Sequence, residues 1–253
     1  MPLIQNGTYL LGSLTTAVTE EALATPTSCI ITYHPPIFKP LTSLTLSKPL
    51  QANLLRCAAS NISVYCPHTS LDSVNGGIND WLTSAFGEKD RGEISVRYIG
   101  EELEGGIGGQ ARLVTLPSPI SMKEVERKIK NLLKLEQIQV AYLPGQDPSA
   151  QTVRSIGICA GSGGDMLLGA SADVYFTGEM AHHDVLAAVA SGHNVVLCGH
   201  TNTERGYLPI LAQKLSAQLK NEVGTVSNSQ QASDLRTWEV YVSEMDKHPL
   251  QIV

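Results

Sequence analysis

The stretch Val195-Val196-Leu197-Cys198-Gly199-His200-Thr201-Asn202-Thr203-Glu204 governs the reading of this chain. A short apolar, β-branched run ends in glycine, a histidine follows at once, and a carboxylate stands four residues on. Two other stretches repeat the arrangement. Ile30-Ile31-Thr32-Tyr33 leads to His34, and Val64-Tyr65-Cys66-Pro67 leads to His68, with Asp72 four residues on. Short apolar runs bounded by Gly or Pro read as buried strands. In an open α/β sheet ligands bind beyond the carboxyl ends of the strands, so three histidines and two carboxylates are placed to converge on one crevice. Such a group suits one or two divalent transition-metal ions, with zinc, manganese, iron, cobalt and nickel all acceptable to imidazole.

Outward from these stretches, strand-like and helix-like runs alternate, the pattern of an α/β protein with mostly parallel strands. Tyr9 to Leu14 and Cys29 to Thr32 read as strands, and Thr15 to Ala24 and Ala52 to Ser60 as helices. Ser63 to Cys66 reads as a strand and Gly77 to Phe86 as a helix. Gly105-Gly106-Ile107-Gly108-Gly109 is flexible enough to be a turn or a linker. Beyond it, Ser121 and Glu124 form a capping box for a helix whose stripe is Met122, Val125, Ile129, Leu132 and Leu133. Strands are expected at Ile138 to Leu143, Val153 to Cys159, Val174 to Phe176, Val195 to Leu197 and Trp238 to Val242, with a helix at Leu208 to Leu219. The expectation is two α/β lobes, residues 1–110 and 111–253.

Composition bounds the function. The chain has 253 residues, 42% hydrophobic and 17% charged, with a net charge of −6 and no dense Lys/Arg run. That argues against a dedicated nucleic-acid surface or an anionic-membrane surface, while leaving nucleotides open as small ligands. No apolar stretch approaches the roughly 20 residues that span a bilayer. Five scattered cysteines without a C-x-x-C pair point to a reducing compartment. Cytoplasm is the expectation, and nucleus and mitochondrial matrix permit free thiols equally.

The words around the histidines are more specific than their spacing. Tyr33-His34-Pro35-Pro36-Ile37-Phe38 resembles the His-Pro-x-x-Phe signature of the NGG-one-interacting-factor-three-like family, also described as dinuclear-metal-centre or GTP cyclohydrolase I type 2 proteins. Tyr65 to Asp72, running on to Gly76-Gly77-Ile78-Asn79-Asp80, resembles the second motif, and Gly161-Ser162-Gly163-Gly164 the third. Thr177-Gly178-Glu179-Met180-Ala181-His182-His183 resembles the fourth, and Gly199 to Glu204 the last. The motifs keep the family's order from about residue 9 to 206. The resemblance implies a two-lobed α/β protomer with two metal ions in the interlobe cleft, and assembly into a toroidal homo-hexamer. Carried over residue by residue, His34, His68, Asp72, His200 and Glu204 fall on metal-binding positions, Asp72 as the bridge. Two departures stand out. Many bacterial members carry a His-His pair where this chain has Tyr33-His34, and Tyr-His also occurs in eukaryotic members. The family's initial helix and Trp-Asp-x-x-Gly-Leu segment find no room in Met1 to Thr8, so the expectation is either a reduced variant with a short start or an incomplete chain. The insertion domain of some bacterial members is absent as well.

Three further groups bear on chemistry. Gly161-Ser162-Gly163-Gly164 could cradle a phosphate at a helix N-terminus, or simply form a tight left-handed turn packing helix on strand. The same words resemble a degenerate nucleophile elbow, and Ser162 with Asp173 or Asp184 and His200 would follow the order of an α/β-hydrolase triad, although the metal competes for His200. Glu179, His182 or His183 could move protons, and Arg205 could pair with an anionic substrate. The leading expectation is a metal-dependent hydrolase in which a hydroxide shared by two ions attacks a small-molecule substrate, nucleotides and GTP ring opening among the candidates. A metal-stabilised scaffold acting through protein partners is the alternative, and a serine hydrolase a minor one.

Overall fold

The computed structural model describes residues 7–250; residues 1–6, on which most of the expected shortened start falls, lie outside them. The chain opens with β1 (Gly7–Leu11), α1 (Thr16–Leu23), β2 (Cys29–Thr32), α2 (Pro49–Ala59) and β3 (Ser63–Tyr65). Next come α3 (Thr69–Ser73), α4 (Ile78–Thr83), β4 (Ser95–Glu102), β5 (Gly109–Ser121), α5 (Met122–Leu133) and β6 (Gln139–Ala141). There follow β7 (Thr152–Ser162), α6 (Gly164–Leu167), β8 (Val174–Glu179), α7 (His182–Ala190), β9 (Asn194–Leu197) and α8 (Asn202–Arg205). Finally, α9 (Leu208–Glu222), α10 (Ser229–Arg236) and β10 (Glu239–Val242) return to the first sheet.

The α/β class holds, but the division expected near residue 110 does not. One compact unit combines the residues through His68 with those from Tyr207 onward, and the other is Thr69–Gly206. Backbone pairing is the reason. β4 pairs antiparallel with β5, so the Gly-rich stretch is a hairpin connection inside one sheet, with Gly105 at φ 73° and Gly106 at φ 70°. β10 pairs parallel with β1, which draws the end of the chain into the first unit.

The first unit is a parallel sheet in the order β10-β1-β2-β3. Every residue of β1 is buried, as a central parallel strand covered on both faces requires. Thr15 caps α1, its hydroxyl accepting from Val18 N–H, and the buried Val18 and Ala22 join Leu11, Leu14 and Ile30 in the core. Pro in the first turn starts α2, where the buried Asn53 donates to Leu14 O. Tyr9 stacks on Tyr241, tying β10 to β1 through side chains as well as backbone.

The second unit is a six-stranded sheet, β4-β5-β7-β8-β9-β6. Only β7, β8 and β9 are mutually parallel; β4, β5 and β7 form an antiparallel run and β6 lies antiparallel on β9. The expected mostly parallel order thus holds only in part here: β4 and β5, joined by a hairpin, pair antiparallel, and β5–β7 and β6–β9 are antiparallel through longer connections. α5 starts as read, with Ser121 Oγ accepting from Glu124 N–H. The Glu124 carboxylate turns instead to Arg127, at 2.8 Å. Met122, Val125 and Ile129 are fully buried, contributing roughly 1.5–3 kcal/mol each. No helix among the described residues is long and apolar enough to cross a membrane.

Candidate metal centre

In the first unit, pairing runs past the end of β2. Tyr33 N–H donates to Leu11 O and His34 N–H to Gly12 O, so His34 leaves the carboxyl end of the sheet still tied to β1. Pro35 and Pro36 cannot donate to the ladder and end it there. His34 Nδ1 lies 2.9 Å from Ser13 Oγ, in the loop between β1 and α1. His68, beyond β3, takes φ 44°, a left-handed conformation costing a non-glycine residue about 1–2 kcal/mol. Such strain gathers at functional positions. The His34 and His68 rings are 6.4 Å apart between centroids, with the buried Tyr33 ring 4.8 Å from the first and 5.7 Å from the second. Tyr33 therefore serves as packing, and Phe38 meets the His68 ring edge-on at 6.2 Å.

In the second unit, β8 and β9 also stay paired beyond their ends, with Cys198 N–H donating to Thr177 O and Gly199 N–H to Gly178 O. This brings His200 beside Glu179. His200 Nδ1 is 2.9 Å from Glu179 Oε1, and Nε2 is 3.1 Å from Glu204 Oε1. One helical turn through α8 returns Glu204 to the ring, as an i,i+4 pair must, and buries it to 3% exposure. Thr203 Oγ1 donates to His200 O and accepts from Gly161 N–H, while Thr177 Oγ1 donates to Gly161 O. Gly161 thus backs the pair, at φ 62°, with space too narrow for a side chain.

The electrostatics follow from this burial. The Glu204 hydrogen bond, opposed by desolvation and aided by the Glu204 charge and by Glu179, pushes the His200 imidazole up to about 9. Cys159 is pushed up to about 12, by burial first and then by the charges of Asp72 and Glu204. Asp72, itself buried on α3, and Glu204 therefore act on one thiol in one interior region. An imidazole nitrogen and a buried carboxylate oxygen at 3.1 Å need a cation between them. A proton serves, and so does a divalent metal ion, for which these donors are suited. The residues fit the metal.

The other sequence-derived candidates fall differently. His182 and His183 stand exposed in the first turn of α7, their rings 5.4 Å apart, and neither makes a side-chain hydrogen bond among the described residues. Glu179 is engaged with His200. Ser162 is exposed at the end of β7, its side chain makes no hydrogen bond among the described residues, and Asp173 is committed to Ser155 and to the Arg154 N–H, so Asp173 does not serve a triad at Ser162. Of the two readings of the Gly161 stretch, the tight left-handed turn is the one its contacts support. Arg205 donates to Thr201 Oγ1. The second motif's far end is architectural: Asn79 bridges Gln110 O and Ala160 N–H, and Asp80 pairs with the buried Arg112. Ser13 and Cys159 were not legible as site neighbours, since neither stands at an informative spacing from a ligand.

A family profile described as Duf34/NIF3 (NGG1p interacting factor 3) matches residues 11–233, a span that includes His34, His68, Asp72, His200 and Glu204. The chain belongs to the Duf34/NIF3 family. Among its relatives, the "Protein NIF3 homolog" of Schizosaccharomyces pombe is 39% identical over 94% of this chain and 81% of that protein. The "NGG1-interacting factor 3" of Saccharomyces cerevisiae is 34% identical over 94% and 79%. The fold is shared with a Bacillus cereus protein related to NIF3, at TM-score 0.73 and 17% identity over 98% of this chain and 89% of that one. It is shared too with reduced HcgD from Methanocaldococcus jannaschii, at TM-score 0.70 and 20% identity over 95% and 84%. In this Duf34/NIF3 chain the His200 imidazole and the Glu204 carboxylate are donors that could hold a metal ion.

Proposed function

We propose that this protein is a dinuclear metal-dependent hydrolase acting on a small molecule, with nucleotides and phosphoesters as the first substrate classes to test. The observation that carries the reading is the His200–Glu204 pair, an imidazole and a buried carboxylate at 3.1 Å beyond the carboxyl ends of parallel strands. His34, His68, Asp72, His200 and Glu204 are the residues we assign to the ions. Bound there, divalent ions supply Lewis-acid activation of water and of an electrophilic carbon or phosphorus. The chain's own work is positional. Glu204 is held in place by α8, His200 by the β8–β9 pairing and by Glu179, and Asp72 by its buried place on α3. Burial of Asp72 and Glu204 keeps bulk water from screening their charge.

The test is metal content by mass spectrometry, per chain, beside the Asp72→Ala variant. About two ions, reduced in the variant, support the centre, and release of product from phosphoesters or nucleotides under that metal supports turnover. Absence of ions after reconstitution with zinc, manganese and iron would overturn the reading. A second reading, a metal-stabilised scaffold for protein partners or for further copies of the chain, is favoured by the loop between β2 and α2. There Phe38 is 74% and Leu46 73% exposed, more apolar surface than a soluble loop ordinarily presents. Two ions without turnover on any substrate class would favour it.

A further inference from the structure

Two of the candidate ligand histidines are held through the same ring atom. His200 offers Nδ1 to Glu179 Oε1, and His34 offers Nδ1 to Ser13 Oγ, both at 2.9 Å. Neither Glu179 nor Ser13 is among the five metal-binding positions. A neutral imidazole has one N–H and one lone pair, so the partner on Nδ1 decides which nitrogen is left for a cation. An ionised carboxylate only accepts: it requires Nδ1–H and leaves the lone pair on Nε2. A hydroxyl donates or accepts, and so permits either arrangement.

We infer that Glu179 is a positioning residue that fixes the orientation and tautomer of His200 with Nε2 as the metal-binding atom, and that Ser13 is its uncharged and weaker counterpart at His34. The inference rests on the metal reading above and deepens it. The backbone holds Glu179 to this task. It is the last residue of β8, in register with Ser162 of β7, and the strand passes so near that a Cβ on Gly178 would stand 2.8 Å from His200 Cα. Nε2 of His200 already faces the Glu204 carboxylate, on the side away from Glu179. The Glu179 carboxylate is exposed and reaches Nδ1 from the solvent side. An Nδ1–H donated to an anion makes Nε2 a more basic ligand, which a neutral hydroxyl does far less. Ser13 is set by its neighbour: Gly12 N–H donates to Oδ2 of the buried Asp246 at 2.7 Å. Glu179 thus acts through His200, and the proton-moving role read for it from the sequence gives way to a structural-electronic one.

The test is a zinc titration of the full chain against a chromophoric chelator, for wild type, Glu179→Gln, Glu179→Asp and Ser13→Ala. It is paired with ring ¹⁵N NMR of the zinc-loaded wild type and Glu179→Ala. Glu179→Gln should weaken zinc binding by about 10–100-fold. Glu179→Asp should recover part of that loss, and Ser13→Ala should weaken zinc binding by less than Glu179→Gln does. The wild-type spectrum should show the His200 proton on Nδ1, and Glu179→Ala should lose that signal to exchange with water. Equal zinc affinity in wild type and Glu179→Gln, or zinc found on Nδ1 of His200, overturns this inference alone. A wild type that takes up no zinc overturns the metal reading and this inference with it.

Discussion

At Gly161 the backbone passes at φ 62° so close to the ligand pair that a Cβ would stand 2.6 Å from Glu204 Oε1 and 3.1 Å from His200 Nε2. An alanine there meets two penalties: about 1–2 kcal/mol for the left-handed conformation, and displacement of the pair itself. Gly161→Ala should therefore lower the melting temperature by several degrees, at roughly 2–4 °C per kcal/mol for a chain of this order, and should also release zinc. Calorimetry and metal content check it, and a variant with wild-type values of both would show that Gly161 does not seat the pair. At this scale His200 and Glu204 were legible because four residues is one helical turn, a purely local relation. Glu179 was legible as a site residue but not in its role, because its partner lies 21 residues away and only the β8–β9 pairing brings them together.

Between elements, a buried ion pair joins α4 to β5. Arg112 is 0% exposed, with Nε on Asp80 Oδ1 and its remaining donors on Gly109 O and Ser73 O. Removing its counter-charge leaves a buried guanidinium uncompensated, so Asp80→Asn should cost about 3 kcal/mol, the low end for breaking a buried pair because Asp80 is partly exposed. Urea denaturation checks the size. Burial acts to raise the Asp80 carboxyl, but the Arg112 hydrogen bond, the Gly76 N–H and the Arg112 and Lys89 charges outweigh it and hold it below its ordinary 3.8. The stability it contributes is present above that value and is lost as pH falls through the lower folded value. The urea midpoint of wild type should drop more steeply with acid than that of Asp80→Asn; parallel curves would place the acid sensitivity elsewhere. The sequence marked Asp80 as part of a metal motif. Its structural use could not be read there, since Arg112 is 32 residues on in another element.

Over the whole molecule, the first unit is completed by the end of the chain. β10 pairs with β1, Trp238 Nε1 donates to Thr8 Oγ1, and Glu21 accepts from the Glu244 N–H. A chain ended at Val223 would expose the edge of β1 and uncover Tyr9, so it should lose near-ultraviolet circular dichroism and aggregate, as an unpaired buried strand edge does. A monomeric, native-like product on size exclusion would show that β10 is dispensable. Local chemistry in the sequence was enough for the α/β class, for the positions of most strands and helices, for the Ser121 cap and for the His200–Glu204 pairing, since periodicity, capping and the i,i+4 turn act over a few residues. Tertiary structure alone decided that Gly105–Gly109 turns a hairpin, that the units part at His68/Thr69 and Gly206/Tyr207, and that Ser13 and Glu179 hold His34 and His200. These outcomes depend on which strand edges find each other across tens or hundreds of residues. Hydrogen-bond pairing settles that only when the whole chain has folded.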